Sequence, residues 1–125
     1  MFLPAHLAGG ALVGKLTGDY SLPLIFAVVP DIDHLISYAR HGVIFRPRLF
    51  WKTIRAQEDP WGDQRGILHT LLAWVAVSVA AFLFWPASGL AVSAAYLSHL
   101  VQDVLDGADF RPLRPLAQFN LRGPI

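Results

Sequence analysis

A long uncharged segment, residues 67–85, constrains the fold of this chain more than any other feature of its sequence. It has 19 residues, carries one His near its start, and is flanked by Arg65 and Pro86. As a single helix it would be about 28 Å long, close to the thickness of the hydrocarbon core of a bilayer. We therefore predict a transmembrane helix over this segment.

The composition agrees with a membrane environment. Of the 125 residues, 54% are hydrophobic and only 15% are charged, whereas soluble domains have about a quarter charged residues. The net charge of +1 lacks the strong basic excess of nucleic-acid-binding proteins, so no nucleic-acid partner is expected. The absence of Cys excludes disulfides and thiolate metal sites. We predict one membrane-embedded domain over residues 1–125.

The other apolar segments are shorter. Residues 90–106 follow a five-residue turn and are rich in small side chains, which favours a second, closely packed span. Residues 2–16 and 22–29 are each too short for an ordinary span, and are therefore either short, tilted helices or a re-entrant hairpin. Residues 31–40 are expected to continue as a helix. The predicted fold is all-α, a small membrane bundle of about four transmembrane or re-entrant helices.

Positive charge is unevenly distributed along the chain. Six of the ten basic residues lie between Arg40 and Arg65, where several aromatic side chains suit the headgroup level, and more follow in the tail. The turn at Pro86 has no charge. By the positive-inside rule, the central stretch and the tail are cytoplasmic and the Pro86 turn is outside.

With this topology, four separate segments bring His and Asp residues to the cytoplasmic end of the bundle. Ionisable groups within a membrane are costly and usually face a protein interior, so their convergence predicts a metal site. The candidate ligands are His6, Asp31, Asp33, His34, His69, His99 and Asp103.

The local spacing of these residues suits metal binding. His99 and Asp103 share a helix face, as do Asp31 and His34 if that segment is helical. Seven candidates exceed what one tetrahedral ion needs, so a two-metal site is allowed, with Asp33 as a bridging carboxylate. Each feature also has a simpler explanation: an interfacial His, a helix cap or a hydrogen-bonded pair. Their coincidence at one end favours metal.

Two neighbours of the candidate ligands have open roles. Arg65 is either a clamp for an anionic oxygen such as phosphate or a positive-inside anchor. Gly66 permits close approach of backbone or substrate. Tyr96 is expected to pack in the interior, and His41 is expected to have no functional role.

Three motifs, PDIDH at 30–34, QRGILHT at 64–70 and YLSHLVQD at 96–103, resemble the inner-membrane metal-dependent hydrolase family, also described as LexA-binding and YdjM-like. That family shows an N-terminal His, P-D-[ILV]-D-H, H-R-G-x-T-H-S and a late H-x-x-x-D helix. The sequence departs from the second motif at Gln64, Leu68 and Thr70, where the family has His, Thr and Ser. If the missing His is a ligand or a proton shuttle in relatives, catalysis here is altered or absent.

The resemblance implies a multi-pass protein of the prokaryotic inner membrane that hydrolyses an ester, with a distant likeness to zinc-dependent phospholipase C and P1 nuclease. We expect zinc or manganese, one or two ions, and a phosphoester of a lipid or membrane-associated substrate. Asp33 or Asp31 would act as general base and Arg65 would steady negative charge.

Two other functions remain possible. Intramembrane His and Asp also mark ion or proton pathways, although residues 71–85 offer only Ser78 toward the far side. The third possibility is a non-catalytic membrane scaffold with a structural metal.

Overall fold

Helices make up most of the chain in the computed structural model, which describes residues 3–56, 59–106 and 109–121. Short 3-10 turns occupy Val29–Asp31 and Ile67–His69, and the described residues contain no strand. The all-α prediction is confirmed. The helices are α1 Leu3–Thr17, α2 Ser21–Phe26, α3 Ile32–Arg40, α4 Pro47–Ala56, α5 Leu71–Phe84 and α6 Gly89–Leu105.

Helix α6 lies at the centre of the bundle, where it contacts α1, α2 and α5. Its small residues allow close packing, and Ala91, Ala95 and the ring of Tyr96 are buried. Polar contacts fix it to α5: the Trp74 indole N–H donates to the Ser93 carbonyl at 3.0 Å. The helix predicted over 90–106 is thus present.

Helix α5 is shorter than the sequence predicted. Thr70 has an extended backbone, and its hydroxyl oxygen accepts the first-turn N–H of Ala73 at 3.1 Å. This cap begins the helix at Leu71 and leaves a 3-10 turn before it. The predicted 19-residue helix is therefore wrong at its beginning, and the helix of 14 residues is about 21 Å long. The break turns His69 into the protein interior, where it is buried.

One helical run among the described residues, Ser21–Arg40, is long and apolar enough to cross a membrane by length and composition. It consists of α2, a 3-10 turn and α3 in direct succession. Large apolar side chains are also exposed on the other helices, including Leu83 at 73% and Leu90 at 68%. Such exposure is expected in an apolar environment. The number of membrane crossings stays a prediction.

Helix α4 forms within the central basic stretch, where the sequence predicted only a segment at the headgroup level. Its exposed face carries Trp51 and the cations Arg48, Lys52 and Arg55, spaced three or four residues apart. The opposite face packs inward through Phe50, which contacts the ring of Tyr38 edge-on at 5.9 Å. The helix is therefore amphipathic.

The segment between α4 and α5 is held to α3 by Asp63. The Ser37 hydroxyl donates to Asp63 at 2.5 Å, and the His41 ring lies 3.0 Å from the same carboxylate. The Ser37 hydrogen bond outweighs partial burial and, with His41 and Arg40, holds the pKa of Asp63 below its usual value. His41 also stacks on Trp61. It therefore has a structural part in positioning this segment, which the sequence did not predict.

The C-terminal tail folds back onto the end of the bundle where α5 begins. The Leu71 N–H donates to the Pro112 carbonyl at 2.9 Å, and Phe110 is buried in the core with Tyr96 and Leu100. An isolated antiparallel bridge joins Phe110 to Leu121. The tail therefore covers the core beside the beginning of α5.

Close contact between α1 and α2 depends on Gly10. A Cβ atom at Gly10 would lie 2.7 Å from the Cβ of Ala27 and 2.9 Å from the Pro23 carbonyl.

We predict that Gly10→Val lowers the free energy of unfolding by about 1–3 kcal/mol through overpacking. Thermal unfolding in a neutral detergent measures this, with Ala8→Val on the exposed face of α1 as control. Equal unfolding temperatures for the two variants would contradict this packing.

Candidate metal centre

Six of the predicted ligands come together at one end of the bundle. They arrive from α1, the turn before α3, α3 itself, the turn before α5, and α6. The convergence inferred from the sequence is thus present in the structure. Three overlapping groups each have ligand atoms within 4.8 Å of one another: His6 with Asp31 and His99, Asp31 with His34 and His69, and His69 with His99 and Asp103.

Three of the histidines are oriented by a hydrogen bond at Nδ1. The partners are the carbonyl of Ala27 for His99 at 2.7 Å, the carboxylate of Asp33 for His69 at 3.1 Å, and the amide oxygen of Gln64 for His34 at 3.0 Å. Because each partner atom is an acceptor, each Nδ1 carries the proton. In the neutral ring, Nε2 then bears the lone pair. This is the usual way in which proteins orient metal-binding imidazoles.

The Nε2 atoms of His69 and His99 face each other at 3.3 Å. Asp103 Oδ2 lies 3.3 Å from the same His69 nitrogen and 3.7 Å from that of His99. Two lone pairs and a carboxylate oxygen repel one another at these distances unless a cation or a proton lies between them. The donor set and its spacing therefore fit a divalent metal ion.

The buried ring of His6 independently fits a metal ligand. Its side chain is fully buried, and neither ring nitrogen has a hydrogen-bond partner among the described residues. Its ring stacks on His99 with 3.6 Å between centroids, and its Nε2 lies 3.7 Å from Asp103 Oδ1. A buried polar group without a partner costs about 1–3 kcal/mol. Coordination of a metal ion would remove this cost.

Asp33 lies behind His69 rather than among the six clustered ligands. Its Oδ2 accepts the Leu68 N–H at 2.8 Å and faces the Nδ1 of His69. A Cβ at Gly66 would lie 3.0 Å from the Asp33 carboxyl group, so the close approach allowed by this glycine is to Asp33. These contacts suit a group that orients His69. A direct metal bond or a base role for Asp33 stays a prediction.

Arg65 lies at the boundary between the cluster and the surface. Its Nε is 3.3 Å from Asp103 Oδ2, and its side chain is 16% exposed whereas that of Asp103 is 1% exposed. The guanidinium therefore neutralises part of the buried negative charge and lies where an anionic group could enter. Both roles inferred from the sequence, anchor and anion clamp, are compatible with this position.

Sequence reasoning missed several of the groups that shape the site. Gln64, noted only as a departure from a motif, orients His34 and lies 3.5 Å from the Tyr38 hydroxyl. Tyr96, expected to pack in the interior, also donates to the Leu68 carbonyl at 2.6 Å and so supports the turn that carries His69. The Ala27 carbonyl left no signal, because any residue supplies a backbone oxygen.

The model of the YdjM inner membrane protein family matches residues 1–125, and the chain belongs to this family. This confirms the resemblance seen in the motifs and places the protein in the inner membrane. The family description does not mention hydrolysis, so that part of the resemblance stays an expectation. Comparisons with curated proteins and with solved structures gave no match.

The contacts of Asp33 predict its effect on metal affinity. Asp33→Asn removes the negative charge that makes His69 a stronger metal ligand. We therefore expect the affinity for zinc to fall by about 10-fold or more. Competition with a zinc indicator measures this in the purified protein. Asp63→Asn is the control, since Asp63 also accepts hydrogen bonds from α3 but belongs to none of the three ligand groups. Equal affinities in the two variants would contradict an orienting role.

Proposed function

We propose that this YdjM-family protein is a multi-pass, metal-dependent hydrolase of the inner membrane. The clustered His and Asp residues would hold one or two divalent ions and cleave an ester or phosphoester of a lipid or other membrane-associated molecule. The observation that carries the proposal is the pair of Nε2 atoms, His69 and His99, that face each other at 3.3 Å. Both rings are already fixed through Nδ1.

Zinc suits this donor set because it accepts imidazole and carboxylate ligands in small tetrahedral sites; manganese is the alternative. The three ligand groups share members, so two ions would be close neighbours, as in two-metal hydrolases. Such an ion would supply Lewis acidity and lower the pKa of a bound water. His6, His69, His99 and Asp103 would form the buried side of the metal site, with Asp31 and His34 on its more open side.

The remaining chemistry belongs to residues near the opening. Asp31 is 23% exposed and His34 is 18% exposed, whereas the other clustered ligands are buried. Asp31 is therefore better placed than Asp33 to accept a proton from an attacking water, because Asp33 is occupied by His69 and Leu68. Arg65 would steady the negative charge that develops on the ester oxygen.

We place the site on the cytoplasmic side. Helix α4, with its exposed cations, follows α3, and its Ile54 lines the same cavity as Asp31 and His34 of the cluster. The connection between α5 and α6, at the opposite end of these helices, has no charge. The positive-inside rule then puts the cluster toward the cytoplasm.

A structural metal in a non-catalytic scaffold is the second candidate. Nearly complete burial of His6, His69, His99 and Asp103 favours it, since structural metal sites are closed. The exposed edge formed by Asp31 and His34 favours catalysis, which needs an open coordination position. A transport role has less support, since residues 71–85 offer only Ser78 toward the far side, and its hydroxyl donates a hydrogen bond to the Ser93 hydroxyl at 2.8 Å.

Metal content tests the proposal directly. We predict that protein purified in neutral detergent after growth with zinc retains at least one equivalent of it, measured by elemental analysis. His99→Ala should lose the metal because it removes one of the two facing Nε2 atoms. His41→Ala should keep it, because His41 is outside the cluster. Wild-type protein without metal, whose unfolding temperature is unchanged by a chelator, would contradict metal binding.

Membrane topology can be tested cleanly because the chain has no Cys. Ala87, between α5 and α6, and Ala56, at the end of α4, are both exposed and can each be replaced by Cys. We predict that a membrane-impermeant maleimide labels the Ala87→Cys protein in intact cells with a permeable outer membrane. The Ala56→Cys protein should react only after the inner membrane is disrupted. Labelling of both from the same side would refute the proposed orientation.

A further inference from the structure

A cavity of about 430 Å³ lies beside the cluster, between α3, the end of α4 and the segment that follows it. This volume is within the range of small-molecule sites, about 300–1,000 Å³. Its lining divides into two parts by chemistry. The polar part consists of Asp31, His34, Tyr38, Asp59, Gln64 and Arg65, and the apolar part of Leu3, Val28, Ile32, Leu35 and Ile54.

The polar part continues directly into the candidate metal centre. Asp31 and His34 belong to the ligand groups, and Arg65, which lines the same cavity, contacts Asp103 of the cluster through its Nε at 3.3 Å. The carboxylate of Asp59 is turned toward the backbone N–H groups of Gly62 and Gln64. With a divalent ion in the cluster, the ion and Arg65 would be two cationic partners for an anionic group such as a phosphoester.

The apolar part reaches the outside of the bundle. Leu3 and Leu35 are each 51% exposed and Ile32 is 45% exposed, although all three also line the cavity. In an inner membrane protein, exposed aliphatic side chains on a span face lipid chains. These residues lie on α1 and on the helical run Ser21–Arg40, which is long and apolar enough to cross the membrane. The apolar end of the cavity is thus continuous with a lipid-facing surface.

We propose that the cavity binds a long-chain phosphoester from the bilayer, with its phosphate at Arg65 and its alkyl chain along Leu35, Ile32 and Ile54. This inference rests on the proposed hydrolase function and names its substrate class. Hydrolysis would join the oxygen of water to phosphorus and break the phosphorus–oxygen bond to the alcohol, which takes up a proton from that water. A soluble phosphoester would leave the apolar wall unused.

Chain-length dependence of binding tests the proposal without requiring turnover. Dodecyl phosphate and ethyl phosphate are titrated calorimetrically into zinc-loaded protein at a fixed concentration of a neutral detergent. We expect dodecyl phosphate to bind at least about 10-fold more tightly, because more apolar surface is buried. The Leu35→Ser/Ile54→Ser variant should lose this preference and keep its affinity for ethyl phosphate. Arg65→Gln should weaken the binding of both ligands.

Leu83→Ser is the matched control. Leu83 is an exposed aliphatic residue of α5 that is not part of the cavity lining, so its substitution should not change the chain-length preference. If the double variant folds poorly, Leu35→Trp provides a second test: the larger side chain narrows the apolar end of the cavity and should weaken the binding of dodecyl phosphate but not that of ethyl phosphate. Equal affinities for the two ligands in the wild type, or equal losses in the cavity and control variants, would overturn the proposal.

The outcome also separates this inference from the proposed function. Chain-dependent binding without turnover of any ester or phosphoester would support the amphiphile site and refute the hydrolase. Metal-dependent turnover that does not depend on chain length, with no preference in binding, would support the hydrolase and refute the amphiphile site.

Discussion

The structure depends on the cost of burying imidazole and carboxylate groups inside an apolar helical bundle. The Nε2 atoms of His69 and His99 point toward one another and toward Asp103, while their Nδ1 atoms are fixed by Asp33 and a backbone carbonyl. Burying such groups is unfavourable unless they are paired or bind a metal ion. One divalent cation at this point would satisfy the facing nitrogens and the carboxylate, and His6 forms a neighbouring ligand group with Asp31 and His99.

Several features of the fold follow from the need to bring these groups together. The backbone break at Thr70 shortens α5 and turns His69 inward. The 3-10 turn at Val29–Asp31 carries Asp31 toward the ligands of α6. Gly9 lets α1 approach α6 closely at Ser98 and Gln102, which brings His6 near His99. Breaks of this kind within a membrane are tolerated where the backbone is covered by protein.

The sequence predicted the helical class and the meeting of ligands because both follow from patterns that survive folding. The length of an apolar segment indicates a helix. The side of the membrane on which each helix ends then determines which residues can lie close together. The sequence could not predict the start of α5, since Thr70 stops an otherwise uniform apolar run through one side-chain hydrogen bond. The sequence also could not distinguish the roles of Asp31 and Asp33, which are two residues apart. These roles depend on the structure, in which the carboxylate of Asp33 contacts the Nδ1 of His69. The roles of Gln64 and of the Ala27 carbonyl appear only in three dimensions.

The central claim is that His69 and His99 coordinate the same metal ion. X-ray absorption at the zinc edge of the zinc-loaded protein tests it most directly, because imidazole ligands give a recognisable multiple-scattering pattern. We predict nitrogen and oxygen ligands at about 2.0–2.1 Å, with scattering from at least two imidazoles, and loss of this pattern in His69→Ala. A spectrum with oxygen ligands alone, or one unchanged by that substitution, would contradict the claim.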